Sequence, residues 1–188
     1  MFSRKLSLIL KLPLYHLDAL YWKSGWVPTE REEWREVIQQ LVQAEEWILD
    51  GNFGSTMNER MAAADTIIYL DIPRYVCMYR IFKRRVMYHR KARPDMALGC
   101  PEKLDWPFVK WVWRYPKKNR PETLAKLDHL REHKQVIILQ TQKQVQGFLE
   151  KLCKNKEAIE KESETGNKFF LATHFFTSIF YGIREKLC

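Results

Sequence analysis

The chain has 188 residues, a length that favours one domain, or one domain with a tail. Apolar residues make up 46% of it and aromatic residues 13%, which excludes a wholly disordered chain. Lysine and arginine outnumber aspartate and glutamate by 32 to 23, so the formal net charge is +9. Such a charge predicts a polyanionic ligand, which is a nucleotide phosphate, a nucleic acid or a membrane surface.

The four cysteines give no sign of a metal site. They are Cys77, Cys100, Cys153 and Cys188, and none of them belongs to a CxxC pair or has a histidine at ligand spacing. We expect no zinc site, and cysteines this scattered favour a reducing cytoplasm. The basic and apolar segment 1–14 lacks a small-residue cleavage site, which favours an amphipathic helix over a signal peptide.

Strands and helices are predicted to alternate along residues 1–152, which is typical of an α/β domain with a parallel sheet. Two capping boxes, Thr29-x-x-Glu32 and Thr56-x-x-Glu59, predict the starts of two helices. Segment 92–105 contains prolines and a glycine and is predicted to be a loop. The remaining helices are predicted at 2–12, 73–90, 107–115, 121–133 and 142–153, and the strands at 14–17, 47–49, 66–70 and 136–139.

Residues 153–188 are predicted to form a tail outside this domain. Segment 154–168 is highly charged, which predicts a linker or an exposed helix, and segment 169–183 is apolar and aromatic. As a helix, 169–183 would be about 22 Å long, against about 30 Å for the hydrocarbon core of a bilayer. We therefore expect no membrane span. We expect packing on the domain or on a second chain, with association at a membrane surface as the lesser alternative.

Three acids follow predicted strands: Asp18, Asp50 and Asp71. Ligands of open parallel sheets bind beyond the carboxyl ends of the strands. An acid at that position holds a magnesium-bound water or orients a hydroxyl group. The structural alternative is that each acid caps the turn or helix that follows it. Of the three, Asp50 and Asp18 are the stronger candidates.

Eight cations and no acid lie between residues 72 and 94. Arg80 and Arg84 share one face of the predicted helix, and guanidinium groups match phosphate oxygens in geometry. The run enters loop 92–105, which is placed to close over a ligand, and a second acid-free basic stretch covers 110–120. Nucleic acid would use the same cations together with the interleaved aromatic rings. The alternatives are a plain basic surface and aromatic side chains that face the core.

A phosphate-cradling loop of the form Gly-x-x-x-x-Gly-Lys-Ser/Thr is missing from this sequence. No glycine is followed by lysine, and the only glycine before residue 50 is Gly25, which lies in a predicted loop. The sequence therefore lacks the nest of backbone amides that grips the β-phosphate of a nucleotide.

Several short motifs occur in an order and spacing that are specific when taken together. They are Tyr15-His16-Leu17-Asp18, Trp22-Lys23-x-Gly25-Trp26, Trp47-Ile48-Leu49-Asp50-Gly51-Asn52, Ala64-Asp65-Thr66-Ile67-Ile68-Tyr69-Leu70-Asp71, Pro73-Arg74, Tyr79-Arg80-x-x-Lys83-Arg84-Arg85, Arg93-Pro94-Asp95-Met96, Gly99-Cys100-Pro101-Glu102 and segment 111–116. With these motifs, residues 2–152 resemble the DNA topology modulation proteins, which are small P-loop NTPases similar to adenylate kinase. The resemblance implies a nucleotide-kinase-like fold of three αβα layers around a parallel sheet.

The resemblance also implies an activity, which is the transfer of the γ-phosphoryl group of ATP, with Mg²⁺, to a nucleotide or another small acceptor. It implies that Asp50 closes the Walker B strand and holds Mg²⁺ through water, and that Asp18 lies near the acceptor. The implied arginines are Arg60 beside the acceptor site, Arg80 and Arg84 at the start of a lid at about 90–105, and Arg90 and Arg93 within that lid.

The chain departs from the family at its start. Residues 2–6 resemble the helix that follows the P-loop, so the first strand and the phosphate loop are missing, as expected of a chain shortened at its N-terminus. In this fold the first strand lies between the strands of Trp47 and Thr66. We expect those two strands to pair directly. The alternatives are insertion of the apolar tail, at Phe169 to Leu171, and a poorly folded chain.

Without the loop, its lysine and its Ser/Thr magnesium ligand, we expect little or no kinase activity from this chain. One alternative function is binding of nucleic acid, with an effect on DNA topology, through the basic surfaces at 74–93 and 110–120. Another alternative is a remnant without catalysis.

Overall fold

The structure is a computed structural model that describes residues 2–89, 91, 93–164 and 178–182. In chain order its elements are helix α1 (Phe2–Leu10), strand β1 (Leu14–His16), helix α2 (Leu17–Tyr21), strands β2 (Trp22–Lys23) and β3 (Val27–Pro28), helix α3 (Arg31–Val42), strand β4 (Trp47–Asp50), helix α4 (Met57–Ala63), strand β5 (Thr66–Leu70), helices α5 (Arg74–Met87), α6 (Trp106–Lys118) and α7 (Arg120–Leu130), strand β6 (Gln135–Leu139), helix α8 (Gln142–Glu164) and strand β7 (Ser178–Gly182).

Five of the strands form one parallel sheet in the order β1-β4-β7-β5-β6. Every residue of β4 and of β5 is buried. A strand covered on both faces is near-continuously apolar, and strands were predicted at both positions. The α/β class and the parallel sheet are therefore confirmed.

The direct pairing of β4 with β5 was predicted, and that prediction is wrong. Strand β7 lies between them, with Ser178 opposite Trp47 and Ile179 opposite Thr66, and it runs parallel to both neighbours. The tail thus enters the sheet, as in the alternative. The residues named for that alternative, 169–171, lie outside the described part of the chain. The inserted strand supplies ladder partners to two buried strands, whose unpaired backbone groups would each cost about 1–3 kcal/mol.

Helices cover both faces of the sheet because neighbouring strand residues point to opposite sides. On one side Ile48 and Ile68 pack in a buried cluster with Leu6 and Ile81, from α1 and α5. On the other side Leu49 and Tyr69 pack with Trp34 of α3 and Leu127 of α7. No helix among the described residues is both long and apolar enough to cross a membrane.

The predictions for individual helices and loops agree with the structure in some places and differ from it in others. Both capping boxes lie where a helix begins, at Arg31 for α3 and Met57 for α4, but neither helix has a side-chain capping hydrogen bond. The Thr29 hydroxyl donates instead to the Tyr21 carbonyl at 2.6 Å. This bond helps to close a β2–β3 hairpin where a loop was predicted. Helix α8 extends to Glu164, so the charged stretch after Cys153 is helical as far as that residue.

Candidate functional site

A cavity of about 450 Å³ opens at the carboxyl ends of β1 and β4. Asp18 reaches it from the residues after β1, and Asn52 and Phe53 reach it from the loop after β4. This is the edge at which open parallel sheets bind their ligands. Further lining comes from the hairpin, α5, the segment before α6, and α6 itself: Trp22, Trp26, Arg84, Arg93, Met96, Glu102, Lys103, Asp105, Pro107, Phe108 and Trp111.

The β2–β3 hairpin is docked on residues 93–105, which we call the lid segment. The backbone amide of Gly25 donates to the Gly99 carbonyl at 3.0 Å, and the Trp26 indole N–H donates to the Pro101 carbonyl at 3.1 Å. Gly99 has φ +79°, and a Cβ on it would lie 2.1 Å from the Ser24 hydroxyl oxygen. Only glycine fits there without displacing Ser24, so this close approach fixes the lid segment over the cavity.

The two arginines of the cavity are paired with buried carboxylates. Arg84 Nε lies 3.1 Å from Glu102 Oε1, and Arg93 Nε lies 2.7 Å from Glu102 Oε2. Arg93 also holds Asp95, with its Nη1 atom 3.1 Å from Asp95 Oδ2. Burial, and next the neighbouring charge of Arg93, lower the pKa of Arg84, while Glu102 raises it. Glu102 thus bridges α5 and the lid segment.

Aromatic rings from two separate elements form much of the remaining wall. Trp22 and Trp26 of the hairpin meet edge to face with their ring centroids 5.5 Å apart. Phe108 and Trp111 of α6 lie nearly parallel, at 20° and 6.2 Å. The Lys103 ammonium group lies 4.7 Å from the Trp26 ring centroid. Rings arranged in this way offer planar surfaces for an aromatic ligand.

Asp50 is buried below this edge and is not among the residues that line the cavity. Its Oδ2 atom accepts a hydrogen bond from the Ser3 hydroxyl at 3.1 Å and lies 2.6 Å from His16 Nδ1. His16 and Asp50 are register partners at the ends of β1 and β4, which explains why they meet. The predicted role of Asp50 in holding a magnesium-bound water stays a prediction.

The carboxylates fit Mg²⁺ only in part. Mg²⁺ is usually held by one or two carboxylates together with substrate phosphates and water. The described residues contain no group of three or more His, Cys, Asp or Glu side chains that could hold a metal ion. A lone carboxylate such as Asp50 would need the phosphates of a bound nucleotide as its co-ligands, and no Gly-Lys pair in the sequence supplies a cradle for them.

The other arginines predicted for the site have different surroundings. Arg60 is completely buried, and its guanidinium donates to the carbonyls of Gly51 at 3.1 Å and Phe53 at 2.6 Å. It holds in place the loop that carries Phe53 to the cavity, and a phosphate contact stays a prediction. Arg80 donates to the Gln142 side chain at 2.6 Å and is not among the lining residues, so the structure does not bring it to one cleft with Arg84. Arg90 lies outside the described residues.

Asp71, the weakest of the three acids as a candidate, forms an ion pair. Arg120 donates to both of its oxygens, with Nη2 to Oδ2 at 2.7 Å and Nε to Oδ1 at 2.9 Å. The hydrogen bond to Asp71 raises the pKa of Arg120. The pair connects the end of β5 to α7, and Asp71 is not among the residues that line the cavity.

Sequence reasoning assigned no role in the site to Glu102 or to the aromatic wall. Glu102 is the second acid after the acid-free run, and its position seven residues after Asp95 gave no sign that it meets Arg84. The aromatic residues were visible, but helical spacing alone did not separate those facing the cavity from those facing the core.

Comparison of the chain with protein-family models, with curated proteins and with solved structures finds no match.

Proposed function

We propose that this chain belongs to the nucleotide-kinase-like P-loop class and that its cavity is the site of a small phosphoryl acceptor. The observation that carries the proposal is the position of the cavity beyond two adjacent parallel strands, with Asp18 on its wall. In phosphoryl transfer the protein mainly positions the reactants and neutralises charge, and a carboxylate near the acceptor takes up the hydroxyl proton. Asp18, on the cavity wall, is our candidate for that role.

We expect this chain to bind the phosphoryl donor only weakly. ATP supplies the transferred phosphoryl group, and Mg²⁺ neutralises its charge. Because the sequence has no amide nest with a following lysine, we expect Mg·ATP to bind with a Kd above about 1 mM, which corresponds to about −4 kcal/mol. Phosphoryl transfer by the purified chain is expected to be slow for this reason.

The test is acceptor-dependent release of ADP at millimolar Mg·ATP. We expect a slow release that rises when nucleosides are added and that Asp18→Asn lowers at least about tenfold. Asp128→Asn is the matched control, because Asp128 is exposed on α7 and pairs only along its own helix with Arg131 among the described residues. Release of ADP that never depends on an acceptor would exclude the proposed reaction. Micromolar binding of Mg·ATP would show that another segment replaces the loop.

Binding of single-stranded nucleic acid is the second candidate. Its support is a group of side chains on α5 and α6, which we call the outer face: the half-buried Arg74 and the exposed Tyr75, Tyr79, Lys83 and Trp113. The Arg74 guanidinium lies 4.2 Å from the Trp113 ring centroid, and both tyrosines are 64% exposed. Neither helix contains an acid. Grooves for single strands combine cations with exposed rings in this way.

This candidate is tested by the salt dependence of oligonucleotide binding. Each phosphate contact with a single strand contributes about −0.7 to the slope of log K against log[salt]. Replacing Arg74 and Lys83 by glutamine is therefore expected to reduce the slope by about 1.4. Lys143→Gln with Lys151→Gln removes the same charge from exposed positions of α8 and is expected to leave the slope unchanged. If the two double variants reduced the salt-dependence slope equally, binding would depend only on net charge.

A further inference from the structure

The charges on the cavity wall cancel. Three lining residues are cationic, Arg84, Arg93 and Lys103, and three carry carboxylates: Asp18, Glu102 and Asp105. The chain as a whole has a net charge of +9, so the cavity differs in charge from the rest of the molecule. A site built for a phosphate dianion would have an excess of donors and positive charge.

Both arginines are already paired with a carboxylate. The Glu102 side chain is only 3% exposed; its Oε1 atom accepts a hydrogen bond from Arg84 Nε at 3.1 Å, and its Oε2 atom lies 2.7 Å from Arg93 Nε as an ion pair without hydrogen-bond geometry. A phosphate that reached either guanidinium would have to displace this carboxylate or lie beside it. The Glu102 carboxylate and a phosphate would repel each other if both were buried beside the same arginine. A carboxylate that has lost its cationic partners also destabilises the protein interior. The network therefore opposes a phosphorylated ligand.

The aromatic wall favours a planar ligand. Trp22 and Trp26 approach from the hairpin, Phe108 and Trp111 from α6, and Phe53 from the loop after β4. A cavity of about 450 Å³ is within the usual range for small-molecule sites, which is about 300–1,000 Å³. Five of the 14 lining residues are aromatic, and rings that stand beside convergent polar groups suit an aromatic ligand with hydroxyl or amide substituents.

We propose that the cavity binds an uncharged nucleoside and discriminates against the corresponding 5′-monophosphate, with Glu102 as the residue that sets this choice. The proposal rests on the proposed function, because it narrows the class of acceptor at the same site. The nucleobase lies against the aromatic wall, and a hydroxyl group of the sugar faces Asp18. Glu102 keeps Arg84 and Arg93 unavailable to a phosphate.

The experiment measures binding without ATP, so its result does not depend on whether phosphoryl transfer occurs. Adenosine, guanosine, cytidine and thymidine and their 5′-monophosphates are titrated by calorimetry and by tryptophan fluorescence. We expect at least one nucleoside to bind about tenfold more tightly than its monophosphate. Glu102→Gln keeps the side-chain shape and removes the charge, and it is expected to reduce that ratio at least tenfold. Glu122→Gln, at an exposed position of α7, is expected to leave the ratio unchanged.

The outcomes separate the two proposals. If the wild-type chain binds a monophosphate as tightly as its nucleoside, the inference is overturned and the acceptor site stands. If no nucleoside and no monophosphate binds, both are overturned. If Glu102→Gln unfolds the chain, the wild-type ratio still decides the selectivity, and Asp95→Asn, which weakens the hold on Arg93, tests the carboxylate network. A folded Glu102→Gln variant with an unchanged ratio would show that Glu102 does not set the choice.

Discussion

The outer face is built on α5 and α6, the same two helices contribute Arg84, Phe108 and Trp111 to the cavity, and both regions combine aromatic rings with cations. In the cavity Arg84 meets the buried carboxylate of Glu102 at 3.1 Å. On the outer face Arg74 meets an aromatic ring, with Trp113 at 4.2 Å. The same helices thus face a charge-balanced cavity on one side and carry an acid-free basic surface on the other.

The difference comes from the lid segment and not from the helices. Neither α5 nor α6 contains an acid, and the carboxylates that neutralise the cavity arginines, Asp95 and Glu102, lie between the two helices in sequence. A run of cations in a sequence therefore does not show which of them are available to an anion. The pairing depends on where the connecting segment folds back.

The largest effect is expected from a substitution that removes the support of the cavity. Ile179 is the second residue of β7 and is paired with a neighbouring strand on each side, so Ile179→Pro removes a backbone donor from the sheet at a position where central strands do not accept proline. We expect loss of cooperative urea unfolding and of nucleoside binding. Circular dichroism would check this result. A variant that unfolds at the wild-type urea concentration would mean that β7 does not hold β4 and β5 together.

The next effect compares the stability of the two regions directly. Glu102→Ala leaves Arg84 and Arg93 without their shared carboxylate, and we expect it to lower the free energy of unfolding by about 3–5 kcal/mol. Lys83→Ala on the outer face is expected to change it by less than about 0.5 kcal/mol, because the side chain is exposed. Urea denaturation of both variants measures the contrast. Similar losses in the two variants would contradict the pairing described for the cavity.

The sequence predicted the elements well where hydrophobic periodicity is strong. Strands β4 and β5 were predicted from their short apolar runs, and α5 was predicted as a long helix beginning at Pro73. Strand β7 was not placed, because pairing with strands more than a hundred residues away leaves no local signal. Apolar composition left several choices open for the tail, which were packing on the domain or on a second chain, association at a membrane surface and insertion into the sheet.

The site was predicted less completely. The expectation that ligands bind beyond the carboxyl ends of strands selected Asp18, which lines the cavity. It did not distinguish Asp18 from Asp50, whose carboxylate contacts Ser3 and His16 in the interior. The basic run included Arg84 and Arg93, and both line the cavity. It did not reveal Glu102 as their common partner, because an ion pair across a loop depends on tertiary structure that charge patterns do not encode.

A smaller effect is expected at the contact that holds the lid segment on the hairpin. Gly99→Ala places a Cβ 2.1 Å from the Ser24 hydroxyl oxygen and strains a residue with φ +79°, so we expect a loss of about 1–3 kcal/mol in stability. Hydrogen exchange is expected to speed up in residues 22–28 and 93–105 and to stay unchanged in α5. Gly54→Ala is the control, because its added Cβ meets no atom within 4 Å. Equal exchange in the two variants would show that the Gly99 contact does not fix the lid segment.

The smallest effects are expected on the ligand affinities of the cavity and the outer face. Trp26 lines the cavity, so Trp26→Ala is expected to weaken nucleoside binding about tenfold and leave oligonucleotide binding within about twofold, since stacking on one ring contributes about 1–3 kcal/mol. Trp113 lies under Arg74 on the outer face, so Trp113→Ala is expected to have the reverse effect. Calorimetry with a nucleoside and fluorescence anisotropy with a labelled oligonucleotide measure the two affinities on the same preparations. Because each variant removes one indole ring, a general loss of stability would lower the affinity for both ligands together. If each variant weakened the binding of both ligands equally at matched stability, the cavity and the outer face would be parts of one binding surface. The contrast between a neutral and a basic region would then have no functional consequence.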